Sequence, residues 1–161
     1  MSKNILVYTC FGLGDVLMST PVLSMLYDKA YKITFLCEEI GRDIIEGDWV
    51  EVITYNRSAN QADQRKKIQQ QLSARHFDAI ILTVPSNNSD GSFLFNGEKV
   101  YRYENEWELR FSNHTVTLNG QLVNKFLHDD ANNSPFYSPE PIHGYRIKEK
   151  YSWNKPLNKD V

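Results

Sequence analysis

The segment best suited to chemistry is Phe11-Gly-Leu-Gly-Asp-Val-Leu17, which follows the apolar run Ile5–Thr9 and opens a stretch with helical spacing. Gly12 and Gly14 free the backbone to turn sharply and let a ligand come close. Asp15 falls at the start of the helix, where exposed amides and the helix dipole favour a carboxylate. Three readings fit these residues. In the structural one, the glycines make a tight turn and Asp15 caps the helix. In the second, Gly12 and Gly14 are the first two positions of a G-x-G-x-x-G dinucleotide fingerprint, and Glu38 stands where a ribose-binding acid belongs. Against that, Leu17 occupies the third glycine position, and Asp15 puts negative charge where a pyrophosphate needs bare amides. In the third reading, Asp15 is a general base that takes the proton from a hydroxyl as its oxygen attacks an electrophile. Inverting glycosyl transfer needs one such base, and other groups handle the charge of the departing nucleoside diphosphate.

Few other residues compete for chemistry. His114 precedes a helical stretch, where it either caps that helix or donates to a substrate. His76, His128 and His143 have no metal-ligand spacing with Cys, Asp or Glu, so no metal is expected. Cys10 lies beside the glycine loop without an evident partner base, which suits a small buried side chain better than a nucleophile. Arg65, Lys66 and Lys67 form a basic cluster on a polar helix, which reads as a solvated face. At three charges it supports at most a transient contact with an anionic membrane surface. Tyr101, Tyr103, Trp107 and Phe111 read as core or lobe-interface packing, with sugar stacking as the alternative.

The elements that must position these residues alternate between strand and helix. Apolar β-branched runs predict strands at Ile5–Thr9, Lys32–Cys37, Trp49–Thr54, Phe77–Val84 and Lys99–Tyr103. Helical spacing covers Asp15–Tyr27, Glu38–Glu46, Gln61–Arg75 and the stretch from His114 to Leu127. Pro21 leaves two options for the first helix: Thr20 caps a helix that starts at Pro21, or a longer helix kinks there. Strands alternating with helices predict an α/β fold, a Rossmann-like parallel sheet with helices on both faces. Ligands of such sheets bind at the carboxyl ends of the strands, which makes the first βα turn a natural site. Residues 1–128 read as this domain and 129–161 as an irregular linker or surface strap.

Composition narrows the field further. The 161 residues carry 18 Lys+Arg against 20 Asp+Glu, a net charge of −2, which speaks against a nucleic-acid binder. Two cysteines exclude a disulfide scaffold and suit a reducing cytoplasm. No apolar run approaches the length needed to cross a bilayer. The N-terminal run is broken by Gly12, Gly14 and Asp15, so a cytoplasmic protein is the expectation.

Asn4-Ile-Leu-Val-Tyr8, then Gly12-Leu-Gly-Asp-Val-Leu-Met-Ser-Thr-Pro-Val-Leu23, resembles the opening of the heptosyltransferase family, the ADP-heptose:lipopolysaccharide transferases of glycosyltransferase family nine. Ile33-Thr-Phe-Leu36, Phe77-Asp-Ala-Ile-Ile81 and His114-Thr-Val116 resemble later family elements and occur in the same order, so the likeness runs from about residue 4 to 128. The resemblance implies the N-terminal, acceptor-binding lobe of a two-lobed GT-B glycosyltransferase. Asp15 maps onto the family's proposed base, and Gly12 and Gly14 onto its glycine loop. A nucleotide-sugar donor would be held mainly by a C-terminal lobe, from the same gene or another chain, with no further cofactor. The partners implied are that donor and a glycan or lipopolysaccharide-type acceptor. The family's cations are missing from Tyr8-Thr-Cys-Phe11 and from Pro85-Ser-Asn-Asn-Ser-Asp-Gly91. Ser86 and Asn87 of that second loop, with His114, then suit a neutral sugar better than an anionic one. Two alternatives stand beside this: a non-catalytic sugar- or nucleotide-binding module or truncated remnant, and a dinucleotide-binding oxidoreductase fragment.

Overall fold

The computed structural model describes residues 2–9, 12–45, 47–56, 61–83, 99–102, 114–132 and 138–139. Five parallel strands, β1 (Asn4–Tyr8), β2 (Lys32–Glu38), β3 (Glu51–Tyr55), β4 (Ala79–Leu82) and β5 (Val100–Tyr101), lie in the order β3-β2-β1-β4-β5. The helices are α1 (Leu13–Asp28), α2 (Ile40–Ile44), α3 (Gln61–Ser73) and α4 (Thr115–Asp130). The chain steps outward from β1 to β2 and β3, then returns to place β4 on the other side of β1. The order therefore reverses between β1 and β4, and the carboxyl ends at such a reversal are where open α/β sheets bind their ligands.

Alternation along the strands sorts the core into two layers. Ile5, Val7, Phe35, Cys37, Ala79 and Ile81 face one way, against Val22, Leu23 and Leu26 of α1 and Leu122, Val123 and Phe126 of α4. Leu6, Tyr8, Leu36, Ile53, Ile80 and Leu82 face the other way, against Ile68 and Leu72 of α3. The strands read as continuous apolar runs because both faces are covered. α3, the most polar helix, holds on through those two apolar anchors; Lys66 and Lys67 on it are exposed and Arg65 is half-buried.

α1 runs unbroken through Pro21, so the option of a helix starting at that residue does not hold. Proline offers no N–H to the carbonyl of Leu17, four residues back. The Thr20 hydroxyl takes that place, donating to Leu17 O at 2.9 Å. The helix closes with Tyr31 N donating to Leu26 O at 3.3 Å and Ala30 N to Tyr27 O at 2.8 Å, with Ala30 at φ 60°. This is a Schellman arrangement in which an alanine takes the place that glycine usually fills.

Candidate functional site

α1 begins beyond the carboxyl end of β1, with extended Gly12 (φ −76°, ψ −158°) as its N-cap and no side-chain cap. Leu13, Gly14 and Asp15 form the first turn. The amides of Asp15 and Val16 both donate to Gly12 O, at 3.1 and 3.2 Å. Asp15 therefore lies inside the first turn and is not the capping residue. It is half-buried, while the next residue, Val16, is fully buried and anchors the turn to the core. The dipole at this end stabilises the ionised carboxylate.

Of the two parts expected of the glycines, the turn itself does not require them. Neither Gly12 nor Gly14 has the positive φ that requires glycine; Gly47 alone among the described glycines does. Among the described residues, a Cβ on Gly14 would meet nothing within 4 Å, and one on Gly12 would rest 3.5 Å from Glu38 Oε2. The described residues thus leave the backbone of Gly14 uncovered, with the Glu38 carboxylate flanking Gly12.

α4 brings His114 to the same edge. Asn119 Nδ2, near the start of α4, donates at 3.1 Å to Met18 O, near the start of α1. At the far end Asp129 and Asp130 of α4 accept from Tyr101 and Tyr31, near the starts of the strands. α1 and α4 therefore run in the same direction and begin side by side at the carboxyl edge. His114 is the N-cap of α4, and its Nδ1 accepts from Val116 N at 3.2 Å. That bond places the proton of neutral His114 on Nε2. Glu39 and Asn56 belong to this edge as well, joined by Asn56 Nδ2 donating to Glu39 Oε2 at 3.2 Å.

The structure therefore gathers Asp15, Gly12, Gly14 and His114 at one edge. Ser86, Asn87, Cys10, Tyr103, Trp107, Phe111 and His143 lie outside the described residues. Tyr101 is buried, stacked edge-on against Phe126 at 5.4 Å. Among the described residues no group of three His, Cys, Asp or Glu could hold a metal ion. Likewise no described helix is long and apolar enough to cross a membrane.

Sequence reasoning missed three hydroxyls beneath the glycine loop, those of Thr9, Ser19 and Thr83, all buried. The signal was present: one apolar strand run ends at Thr9, another carries Thr83 one residue before its end, and a serine follows Asp15 by one helical turn. Among the described residues Thr9 Oγ1 has no hydrogen-bond partner. A buried hydroxyl left unsatisfied is destabilising, whereas an apolar group of the same shape is not. Thr9→Val is expected to raise stability by about 1 kcal/mol, read from the urea midpoint; a lower midpoint would mean that the hydroxyl is satisfied in solution.

A cavity of about 910 Å³ lies at the opposite, amino edge of the sheet, walled by Tyr27, Tyr31 and Trp49 and by Glu51 and Arg75. Arg75 donates to both oxygens of Glu51, at 2.6 and 2.8 Å, and this hydrogen bonding holds the Glu51 carboxyl below its usual range. The pair satisfies itself, so size alone does not make this cavity the reactive site.

The dinucleotide reading fares poorly at the glycine loop. Leu17 packs against the core where a third glycine would allow close helix–strand approach, and Asp15 occupies the first turn where a pyrophosphate would sit.

No protein-family model and no curated protein matches the chain. Solved structures do. The glycosyl transferase family 9 protein from Veillonella parvula matches with a TM-score of 0.59 and 17% identity, over 75% of this chain and 40% of that one. E. coli heptosyltransferase WaaC, solved with ADP-2-deoxy-2-fluoro heptose, matches with a TM-score of 0.63 and 21% identity, over 88% of this chain and 51% of that one. WaaC solved with ADP gives 0.61 and 21%, over 88% and 50%. The chain spans about half the length of these proteins or less. In fold, then, it is a Rossmann-like α/β unit similar to part of a family 9 glycosyltransferase, of the heptosyltransferase kind.

Proposed function

We propose that this chain forms the acceptor-binding lobe of an inverting GT-B glycosyltransferase, with Asp15 as its base. The observation that carries the reading is the placement of Asp15: half-buried, in the first turn of α1, at the carboxyl edge where the strand order reverses, beside the backbone of Gly12 and Gly14. Asp15 takes the proton of an acceptor hydroxyl. The freed oxygen attacks the anomeric carbon of a nucleotide sugar from the face opposite the leaving group. The bond from that carbon to the diphosphate breaks, and the nucleoside diphosphate departs with the electron pair.

A donor lobe, from the same polypeptide or another chain, holds the nucleotide. The ADP and ADP-sugar in the WaaC structures support a nucleotide sugar as donor. On the acceptor side, His114 Nε2–H and the Ser86–Asn87 loop donate to hydroxyls of a glycan or lipopolysaccharide-type acceptor. Carboxylates at Asp15, Glu38 and Glu39 favour a neutral sugar surface over a phosphorylated one. A cytoplasmic setting goes with this reading, on the two-cysteine composition. For the 161 residues acting without a donor lobe, sugar binding without turnover is the second reading.

The test is a transfer assay on the protein joined to its donor lobe, following nucleoside diphosphate release and the anomeric configuration of the product. Inversion is expected; retention excludes a single-base mechanism. Gly14→Ala adds a second arm. Its Cβ meets none of the described residues, so alanine raises helix stability by about 0.5 kcal/mol. It also fills the approach to the backbone, so the acceptor KM is expected to rise several-fold. Unchanged kinetics would mean that this bare backbone does not serve a ligand.

A further inference from the structure

The hydroxyls beneath the glycine loop form a connected path from the sheet to the Asp15 turn. Ser19 Oγ donates back to Asp15 O at 2.8 Å and lies 3.1 Å from Thr83 Oγ1. Thr83 Oγ1 in turn lies 3.1 Å from Tyr8 O, which also receives the Thr83 amide at 3.0 Å. Tyr8 ends β1 and Thr83 follows β4, the two strands that flank the reversal in strand order. Strand alternation puts Thr9 on the same face as Thr83, since Val7 and Ile81 both pack toward α1.

Two of these hydroxyls, Ser19 and Thr83, carry two protons between them and make three contacts: with Asp15 O, with Tyr8 O and with each other. One contact therefore lacks a proton at any moment, and α1 is tied to the strands when one of the two protons lies between Ser19 and Thr83. Helical and strand amides already reach Asp15 O and Tyr8 O, so neither hydroxyl is needed to satisfy the backbone. What they add is a tie between the first turn of α1 and the tips of both strands.

We propose that Ser19 and Thr83 are positioning residues, which fix the backbone of Asp15 relative to β1 and β4 so that its carboxylate meets the acceptor hydroxyl at the carboxyl edge of the sheet. The proposal rests on Asp15 being the base. Neither side chain touches substrate; both act through the Asp15 turn. Reactions that depend on near-attack geometry lose rate steeply when the reacting group is displaced by a fraction of an ångström to an ångström.

The experiment compares Thr83→Val, Ser19→Ala and Asp15→Asn in the protein joined to its donor lobe, with Thr83→Ser and Ser19→Thr as conservative counterparts. Thr83→Val keeps shape and burial and removes only the hydroxyl. We expect it to lower kcat about tenfold with the donor KM unchanged, and Thr83→Ser to restore the parental value. Amide hydrogen exchange on the 161-residue chain gives an arm independent of turnover: protection at Val16 and Ser19 should fall in Thr83→Val, with the core of β1 and β4 unchanged. If Asp15→Asn abolishes transfer while Thr83→Val and Ser19→Ala keep parental kcat and exchange, the positioning role is overturned and the base assignment stands. If Asp15→Asn retains transfer, the base assignment falls and this role falls with it. A kcat loss in Thr83→Val that Thr83→Ser fails to restore indicates a packing effect and also overturns the proposal.

Discussion

Asp15→Asn is expected to reduce sugar transfer by about 10² to 10⁴-fold, the range over which a positioned base contributes, while the protein folds as before. Asparagine matches aspartate in size, and the half-buried first turn tolerates it. The helix loses only the favourable meeting of a carboxylate with its N-terminal dipole, about 0.3–1 kcal/mol. The loss should appear in kcat and in kcat/KM alike, because the proton is taken only in the transition state. Donor affinity should stay at the parental level, since the nucleotide is assigned to the other lobe. Asp15→Glu sharpens the test: it keeps the charge but moves the oxygens by one methylene, so it should retain a measurable fraction of the rate. Transfer by Asp15→Asn within about threefold of the parent would show that the proton goes elsewhere, and the catalytic reading of this edge would fail. The same assay separates the runner-up: a binding module would bind sugar equally well with Asp15 or Asn at that position.

Much of the fold was legible because the strands are buried on both faces. Ile5–Tyr8, Ile33–Cys37 and Ala79–Leu82 have few polar residues to blur the run, so type and order followed from apolar content alone. Harder to read was what a residue does inside its element. Gly12 and Gly14 looked like conformational devices, yet both adopt backbone that other residues can reach; their bareness shows only once the space around them is known. Pro21 left a helix start and a continuing helix both open, because the hydroxyl that serves the Leu17 carbonyl is a matter of three-dimensional placement. His114 was read as either a cap or a donor, and the structure gives it the means for both: Nδ1 is used in the cap, and Nε2 is left with the proton. The hydroxyls of Ser19 and Thr83 are 64 positions apart in sequence, and no local pattern announces their contact. What the sequence carries well is periodicity; what it carries poorly is which polar atoms meet across the sheet.

That distinction has a sharp case at Gly41, where a substitution that local rules favour should damage the protein. Gly41 lies within α2, and alanine there improves helix propensity by about 1 kcal/mol. Yet a Cβ at Gly41 would lie 2.3 Å from Cys37 Sγ and 3.4 Å from Val16 Cγ1. Cys37 is fully buried, and burial pushes its thiol up to about 12, so it sits there as a neutral, close-packed group. The sulfur cannot swing away without entering side chains of the first core layer. Gly41→Ala is therefore expected to destabilise by about 1–3 kcal/mol, the usual range for overpacking. Cys37→Ala removes the obstructing atom at the expense of a small void. In that background Gly41→Ala should be nearly neutral, which gives a coupling energy comparable to the clash itself. Urea midpoints of the four proteins in this cycle decide the matter: additivity within about 0.5 kcal/mol would mean that α2 shifts freely instead of pressing on β2. The cycle also bears on function. Val16 is the second neighbour of the added methyl and adjoins Asp15 in the chain, so pressure from α2 is transmitted to the turn that carries the carboxylate. Gly41→Ala should then lower transfer beyond what its stability loss explains at temperatures where the protein remains folded, and Cys37→Ala should recover that excess.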